Sequence, residues 1–239
     1  MSVIDAIVGF DGALAQALNG VAARDNAFNH IAVIFGDNNF VKMAPFVWML
    51  AWFWNKAPLE RNRRVIGAGI SGIFIAFFIG RVLQTMLPFR ARPIHTESLG
   101  LSLAPGIVNE MLGGWSSFPS DHAAIFVALA GLAFFLSRRW GIAAALFAVV
   151  FVLGTRVYFG IHFLTDELGG AAIGVVAALL AQSGPVMRWV GEPIERLSRR
   201  YPQWFYPVAL LFVAQLIQMF ADVRMYGSIL KGVLRGTFH

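Results

Sequence analysis

Three short clusters of polar residues stand out because they interrupt or flank long apolar runs of the chain. The first cluster contains Arg81, Arg90 and Arg92, and Arg92 is followed by a proline. Guanidinium groups bind phosphate oxygens through two parallel hydrogen bonds, so these arginines are candidates for a phosphate site. Arginines that only extend their charged ends to a membrane surface would give the same pattern.

The second cluster, residues 118–122 with the sequence Phe-Pro-Ser-Asp-His, directly precedes an apolar run. Proline is common in the first turn of a helix, and the backbone N–H groups at that end bind anions. Ser120 adds a hydroxyl donor, and His122 can donate or accept a proton near neutral pH. A capped helix start with an interfacial histidine is the purely structural alternative.

The third cluster contains Thr155, Arg156, His162 and Asp166. His162 and Asp166 are four residues apart, so on one helix they would share a face. A carboxylate that accepts a hydrogen bond from one imidazole nitrogen makes the other nitrogen a better nucleophile or base. A structural histidine–aspartate pair at a helix turn is the alternative, but burying both groups at a membrane interface is costly.

Together the clusters supply arginines, a helix N-terminus, two histidines and a carboxylate. Such a set can bind a phosphate group and carry out acid–base or nucleophilic chemistry on it. The arginines would neutralise charge that a metal ion neutralises at other phosphate sites, and the acidic residues are too scattered for a two-metal site. We therefore expect neither a metal ion nor another cofactor.

The composition of the chain indicates where such a site would lie. The 239 residues are 58% hydrophobic and only 13% charged, and the mean hydropathy is +0.67. This composition excludes a disordered chain, a coiled coil and an ordinary cytosolic enzyme. The absence of cysteine excludes disulfides, thiolate metal sites and a catalytic thiol. The net charge of +6 is typical of basic loops that orient membrane helices, so we expect no nucleic-acid partner.

Apolar runs close to the length of a bilayer span predict an all-α fold, a polytopic membrane helical bundle with about six transmembrane helices. The predicted spans are Phe40–Asn55, Val65–Leu87, Ala123–Ser137, Gly141–Phe159, Phe163–Gln182 and Trp204–Ala221. The first is the least regular, since Lys42 and Pro45 interrupt it. Residues 1–36 have helical periodicity and moderate hydrophobicity, which predicts an amphipathic segment on the membrane interface. We expect one membrane-embedded domain over residues 1–239.

The charges in the loops predict the orientation of the spans. Basic residues concentrate after the first, third and fifth spans, which the positive-inside rule places in the cytoplasm. They are Lys56, Arg61, Arg63, Arg64, Arg138, Arg139, Arg188, Arg196, Arg199 and Arg200. All three polar clusters then lie on the periplasmic or extracellular face of the cytoplasmic (inner) membrane. Arg224, Lys231 and Arg235 of the C-terminal tail fall on the same outer side and depart mildly from the rule.

The three clusters also resemble a known family. The order Arg-Pro, then Pro-Ser-x-His, then Arg-x5-His-x3-Asp is similar to the three-part signature of the type 2 phosphatidic acid phosphatase superfamily. The resemblance covers roughly residues 81–174, and the six-span layout is similar to the membrane branch of that superfamily. The last motif is the most specific, because several polar residues stand at fixed spacing.

The resemblance implies roles for individual residues. His162 would be the nucleophile that attacks phosphorus and forms a phosphohistidine, and Asp166 would orient and polarise it. His122 would protonate the leaving oxygen and then help to activate water. The phosphate oxygens would be held by Arg92, Arg156, Ser120 and the backbone N–H groups near Ser120 and Asp121.

The chain departs from the family pattern at two positions that bear on the site. The family usually has a lysine seven residues before the arginine of Arg-Pro, and this chain has Thr85 there. Arg81 or Arg90 would have to supply that cation. Asp121 stands where the second motif commonly has glycine, and we expect it to face Arg90 or Arg92 or to help orient His122. The second motif with aspartate at this position resembles that of some bacterial undecaprenyl-diphosphate phosphatases of the superfamily.

The leading hypothesis is an integral membrane phosphatase that hydrolyses a lipid phosphate or diphosphate, with undecaprenyl or another polyprenyl diphosphate favoured. A phosphatidic acid or phosphatidylglycerophosphate phosphatase remains open within the same class. A lipid phosphotransferase with the same histidine, and a membrane protein that only binds lipid phosphate, are the alternatives. The two histidines and Asp166 argue against binding alone, since binding needs no nucleophile. The oligomeric state is left open.

Overall fold

The computed structural model describes residues 3–107 and 114–220, and these residues form helices and connecting turns without a strand. The predicted all-α fold is therefore confirmed. The helices are α1 (Val3–Ala22), α2 (Ala27–Asp37), α3 (Asn39–Asn55), α4 (Leu59–Met86), α5 (Asp121–Leu136), α6 (Arg138–Tyr158), α7 (Leu164–Ala181), α8 (Glu192–Arg200) and α9 (Pro202–Ile217). A π-helical stretch, Ala148–Leu153, interrupts α6, and another, Met187–Gly191, precedes α8.

Each predicted span coincides with one helix of this bundle, namely α3, α4, α5, α6, α7 or α9. Within the described residues α4, α6 and α7 are each long and apolar enough to cross a membrane, while α5 and α9 are apolar but shorter. α3 continues through Lys42 and Pro45: the proline lies inside the helix, and the lysine is completely buried. The total of six spans stays a prediction, and Ala221 with the C-terminal tail lies outside the described residues.

The N-terminal segment forms two helices, α1 and α2. The side chain of Asn26 caps α2 by accepting a hydrogen bond from the backbone N–H of Asn29 at 2.9 Å. The Asn29 amide in turn donates to the carbonyl oxygens of Val21, Ala22 and Arg24, which fixes the turn between the helices. The periodicity of residues 4–21 predicts α1 correctly, whereas the sharp turn depends on polar contacts that periodicity does not show.

Helices α5 and α7 pack unusually closely at Gly170 and Gly174, since small residues let two helix backbones approach each other. A Cβ atom at Gly170 would lie 2.2 Å from the carbonyl oxygen of Ser120, and one at Gly174 would lie 2.6 Å from that of Ala124. Both contacts are with backbone atoms, which cannot move aside as a flexible side chain can. The two glycines therefore hold the start of α5, with His122 in its first turn, against the start of α7.

We expect Gly170→Ala to destabilise the protein by about 1–3 kcal/mol, because the added methyl group forces α5 and α7 apart. The thermal unfolding midpoint in detergent measures this change. Gly20→Ala in α1 is the matched control, since a Cβ there meets no atom within 4 Å and alanine favours helices. Equal midpoints for Gly170→Ala and the unchanged protein would show that the close approach is not required.

The two ends of the bundle differ in charge. The basic loop residues lie at the end where α3, α5 and α7 terminate, and α8 adds further arginines there. At the other end, the starts of α3, α5 and α7 meet the ends of α2, α4 and α6. The three polar clusters of the sequence all belong to this second end.

Candidate active site

A cavity of about 250 Å³ opens at this second end of the bundle. Its lining comes from α2, α3, α4, α5, α6 and the two loops that follow α4 and α6. Among the lining residues are six that the sequence predicts for the site: Arg81, Arg92, Asp121, His122, Arg156 and His162. Three motifs that are far apart in the sequence are thus brought together around one space.

Local backbone features position the third motif. Arg156 lies in the last turn of α6, and the chain then reverses at Gly160, which has a positive φ of 67°. A Cβ atom at this glycine would approach Ile94 to 3.0 Å, so a larger residue would be strained here. The carbonyl oxygen of Gly160 accepts a hydrogen bond from the N–H of Ile94 at 3.0 Å. This bond ties the loop that carries His162 to the loop that carries Arg92.

His162 lies in the loop between α6 and α7, and only 3% of it is exposed. Its Nε2 is 3.0 Å from a terminal nitrogen of Arg92, and its Nδ1 is 3.3 Å from Oγ of Ser117 and 3.6 Å from Oδ2 of Asp166. A guanidinium group only donates hydrogen bonds, so Nε2 is the acceptor and Nδ1 carries the proton. This is the tautomer in which Nε2 can act as a nucleophile.

The surroundings of His162 favour its neutral form. Burial, followed by the positive charge of Arg92, lowers the pKa of His162 from 6.5 to about 3, although the neighbouring carboxylate of Asp166 acts in the opposite direction. The unfolded imidazole binds a proton below pH 6.5, whereas the folded one does so only near pH 3. This group therefore reduces stability progressively as the pH falls through that window.

We expect the His162 ring to stay neutral with its proton on Nδ1 from about pH 8 to about pH 5. The ¹⁵N chemical shifts of the histidine ring nitrogens, measured as a function of pH, report both the charge and the tautomer. A His162→Gln sample assigns the signal. Protonation of His162 with a midpoint near 6.5 would contradict the buried environment described above.

Three arginines give the cavity its positive charge. Arg81, Arg92 and Arg156 each have a buried side-chain nitrogen with no hydrogen-bond partner among the described residues. These nitrogens are Nη2 of Arg81 and Nε of both other arginines. Burial lowers the pKa of Arg92 to about 10, while Asp121, Asp166 and Glu167 oppose that change, so Arg92 is charged at neutral pH. Such a set of donors suits an anion with several oxygens.

Asp121 pairs with Arg81, so the expected partner was wrong. Oδ2 of Asp121 is 2.9 Å from Nη1 of Arg81, and Oδ1 accepts a hydrogen bond from the amide of Gln84 at 2.9 Å. Gln84 also donates to the carbonyl oxygen of Pro119. Arg81 stacks on Trp115 at 3.8 Å from the ring centre. Arg90 and Arg92 have partners elsewhere, which leaves Arg81 as the cation of the first motif that faces Asp121.

His122 lies on the cavity wall in the first turn of α5. Its Nε2 accepts a hydrogen bond from a terminal nitrogen of Arg156 and is 3.4 Å from Nζ of Lys42. The ring stacks on Phe126, one turn further along α5. Lys42 also donates to the carbonyl oxygen of Gly36 at 3.0 Å. The structure therefore places two cations beside the second histidine, one predicted from the sequence and one not.

Ser120, Asp166 and Arg90 lie behind the cavity wall instead of on it. The Ser120 hydroxyl accepts from the N–H of Ala123 and donates to Glu167, and its backbone N–H donates to the carbonyl oxygen of Asp166. It caps α5, and its predicted contact with phosphate stays a prediction. Arg90 binds Asp166 and Asp11 at 2.6 and 2.8 Å, so the structure does not place it with the cavity arginines.

Several polar residues of the site were missed by the sequence analysis. They are Asp11, Asp37, Asn39, Lys42, Gln84, Trp115, Ser117 and Glu167. Lys42 had a usable signal, because a charged residue within an apolar run is expensive and usually functional. The others have no comparable signal, since their proximity to the motifs arises only from tertiary packing. Within 3–107 and 114–220, no three His, Asp or Glu side chains group closely enough to hold a metal ion.

Similarity to known proteins agrees with the geometry. Residues 72–189 match the model of the PAP2 superfamily, which confirms the resemblance seen in the motifs. YbjG of Escherichia coli (strain K12), provisionally named an undecaprenyl-diphosphatase, is 26% identical over 173 residues, 72% of this chain and 79% of YbjG. The undecaprenyl-diphosphatase BcrC of Bacillus subtilis (strain 168) is 24% identical over 166 residues, 69% of this chain and 79% of BcrC.

The fold also has a relative of known structure. A transmembrane PAP2-type phosphatidylglycerolphosphate phosphatase from Bacillus subtilis superposes with a TM-score of 0.52 at 20% sequence identity, over 74% of this chain and 85% of the other. Together with the apolar helices, these similarities indicate a membrane protein. The family match and the curated relatives indicate a phosphatase, a hydrolase of phosphoric ester or anhydride bonds.

Proposed function

Because residues 72–189 form a PAP2 superfamily domain, we propose that this membrane phosphatase hydrolyses a lipid phosphate or diphosphate through a phosphohistidine on His162, without a metal ion. The observation that carries the proposal is the cavity itself. Arg81, Arg92 and Arg156 line this space beside a neutral histidine, and each has a buried side-chain nitrogen with no hydrogen-bond partner among the described residues. Charge neutralisation by three guanidinium groups can replace the metal ions of other phosphatases.

The first chemical step is an in-line displacement at phosphorus. Nε2 of His162 attacks, a P–N bond forms, and the bond between phosphorus and the leaving oxygen breaks. Arg92, which contacts Nε2, would hold a phosphate oxygen next to the nucleophile. Asp166 and Ser117 keep the Nδ1 proton of His162 directed away from phosphorus and stabilise the positive charge that develops on the ring.

We assign the proton transfers of both steps to His122, which donates a proton in the first step and accepts one in the second. A bound phosphate competes with Nε2 of His122 for the guanidinium group of Arg156. The released Nε2 then takes up a proton from water, and protonated His122 gives this proton to the leaving oxygen. In the second step His122 takes a proton from water, the water oxygen attacks phosphorus, and the P–N bond breaks. Inorganic phosphate leaves, and His162 is neutral again.

Undecaprenyl diphosphate is the substrate we favour. Two relatives are named for this activity, and the Arg81–Asp121 pair adds a polar wall that a second phosphate group could contact. Apolar side chains on the outside of α4, among them Phe74 and Phe78, are exposed, as expected where a helix faces lipid. The lipid tail would remain in the bilayer while the headgroup enters the cavity. Phosphatidic acid and phosphatidylglycerophosphate are the competing substrates.

We further propose that the cavity opens to the periplasmic or extracellular side of the inner membrane, because the opposite end of the bundle is strongly basic. A single cysteine at exposed Ser98 should react with an impermeant maleimide in intact cells or right-side-out vesicles. A cysteine at Arg200, at the basic end, should react only after lysis. The reverse pattern would show an inverted topology. The chain has no other cysteine to interfere.

Phosphate release by the purified protein in detergent tests the proposed function. The substrates are undecaprenyl diphosphate, phosphatidic acid and phosphatidylglycerophosphate, each with and without EDTA. We expect release from at least one lipid and no loss of rate with EDTA. Strict dependence on a divalent metal would contradict the mechanism, and a phosphorylated lipid product in place of free phosphate would identify a phosphotransferase.

A further inference from the structure

Arg90 connects two buried carboxylates that come from opposite parts of the sequence. One terminal nitrogen is 2.6 Å from Oδ1 of Asp166 and 2.7 Å from Oγ1 of Thr165, and the other is 2.8 Å from Oδ2 of Asp11. The side chains of both aspartates are 0% exposed. The guanidinium plane also lies 4.2 Å from the centre of the Phe163 ring, which limits its rotation.

Asp166 connects Arg90 to His162. Its Oδ1 accepts from Arg90, while its Oδ2 accepts from Ser117 at 2.5 Å and from the backbone N–H of Phe163 at 2.8 Å. Oδ2 also lies 3.6 Å from Nδ1 of His162. Oδ1 therefore binds Arg90, while Oδ2 faces Ser117, Phe163 and His162. Through Oδ1, Arg90 fixes the rotation of the carboxylate that orients the histidine.

Asp11 belongs to α1, a helix that lies against the cavity end of the bundle and not within it. Further along α1, exposed hydrogen bonds between uncharged groups join the helix to the loop after α4. They link Gln16 to the carbonyl oxygen of Leu99 and Asn19 to Ser102. Its other face exposes Ile7, Val8 and Phe10, with 45–58% of each residue accessible. Such a face suits the membrane interface. An interfacial helix thus contributes a buried carboxylate to the surroundings of the nucleophile.

We infer that Asp11 is a positioning residue for His162 and acts through Arg90 and Asp166. The inference rests on the proposed function of His162. Arg90 is 28% exposed, so without Asp11 its guanidinium group can turn towards water and release Asp166. Asp166 would then hold the Nδ1 proton of His162 less firmly, and Nε2 would lose its fixed aim at phosphorus.

The test is a double-mutant cycle of Asp11→Asn and Arg90→Gln, with kcat and KM measured on the lipid that the unchanged protein hydrolyses fastest. We expect Asp11→Asn to lower kcat about tenfold with little change in KM, as for other supports of a carboxylate–histidine pair. In the Arg90→Gln background the same change should have almost no further effect. Gln16→Ala and Asn19→Ala, which remove other α1 contacts, should stay close to the unchanged protein.

Two results would overturn the inference. The first is unchanged kcat in Asp11→Asn. The second is an equal loss with and without Arg90, which would show that Asp11 acts on the fold or through Thr165, whose hydroxyl and backbone N–H also donate hydrogen bonds to it. The ring ¹⁵N shift of His162 gives a readout that needs no turnover: Asp11→Asn should move the Nδ1 signal, and Asn19→Ala should not. Failure of the proposed function is distinct, because the unchanged protein would then release no phosphate from any lipid.

Discussion

Replacing His162 with alanine should abolish phosphate release while the protein remains folded in detergent. His162 is the neutral imidazole whose Nε2 faces the cavity arginines, so the variant lacks the nucleophile of the proposed mechanism. We expect kcat to fall by at least about 10⁴-fold, since loss of the nucleophile in other covalent hydrolases costs on the order of 10⁶-fold. Phosphate release from the best lipid substrate, in the presence of EDTA, measures the loss.

His30→Ala is the matched control for this experiment. His30 is an exposed histidine of α2 that pairs with Asp25, and it does not line the cavity. Its removal should leave kcat and KM within about twofold of the unchanged protein, as expected for a surface substitution. A thermal unfolding transition in the His162→Ala sample confirms that it is folded. Near-normal turnover by that folded variant would contradict the mechanism.

His122→Ala should impair the first step most strongly when the leaving group is an alkoxide. General acid catalysis contributes about 10²–10⁴-fold, and an alkoxide needs a proton far more than a nitrophenolate does. Single-turnover release of diacylglycerol from phosphatidic acid should therefore fall by about that factor. Release of nitrophenol from p-nitrophenyl phosphate by the same variant should fall much less.

The comparison between the two leaving groups separates proton donation from simple loss of packing. His122 stacks on Phe126 and contacts Arg156, so alanine also removes structure at the cavity wall. Structural damage would slow both substrates alike, whereas a missing acid slows only the poor leaving group. Equal losses on both substrates would show that His122 positions Arg156 and does not donate the proton.

The sequence predicts most of the bundle because its apolar runs are long and well separated. Periodicity and length place α3 to α7 and α9 within a few residues, except that α4 begins at Leu59, before the predicted start at Val65. The division of residues 1–36 into two helices was not predicted. It depends on the Asn29 amide, which bonds to three carbonyl groups of the preceding turn. Single polar contacts of this kind leave no periodic pattern.

The site was predicted where chemistry requires fixed spacing along the chain. Arg156, His162 and Asp166 belong to one continuous motif and do meet, although His162 lies in the loop before α7 and not on one helix face with Asp166, as the spacing of four had suggested. Lys42 and Asp11 lie 80 and 79 residues from His122 and Arg90, the site residues that they contact, and only the packing of the bundle brings them there. The partner of Asp121 was misassigned for a related reason. Three arginines follow one another closely in the first motif, and their spacing alone cannot tell which of them turns towards α5.

Trapping the phosphoenzyme is the most direct test of the proposed phosphohistidine on His162. The protein is mixed with undecaprenyl diphosphate or phosphatidic acid that carries ³²P on the terminal phosphate, and the reaction is quenched within milliseconds in alkali. The proposed mechanism predicts protein-bound label that is stable to alkali and labile to acid. The label should be located at His162 and absent from His162→Ala. Rapid phosphate release with no protein-bound label at any time, or label that persists in His162→Ala, would contradict it.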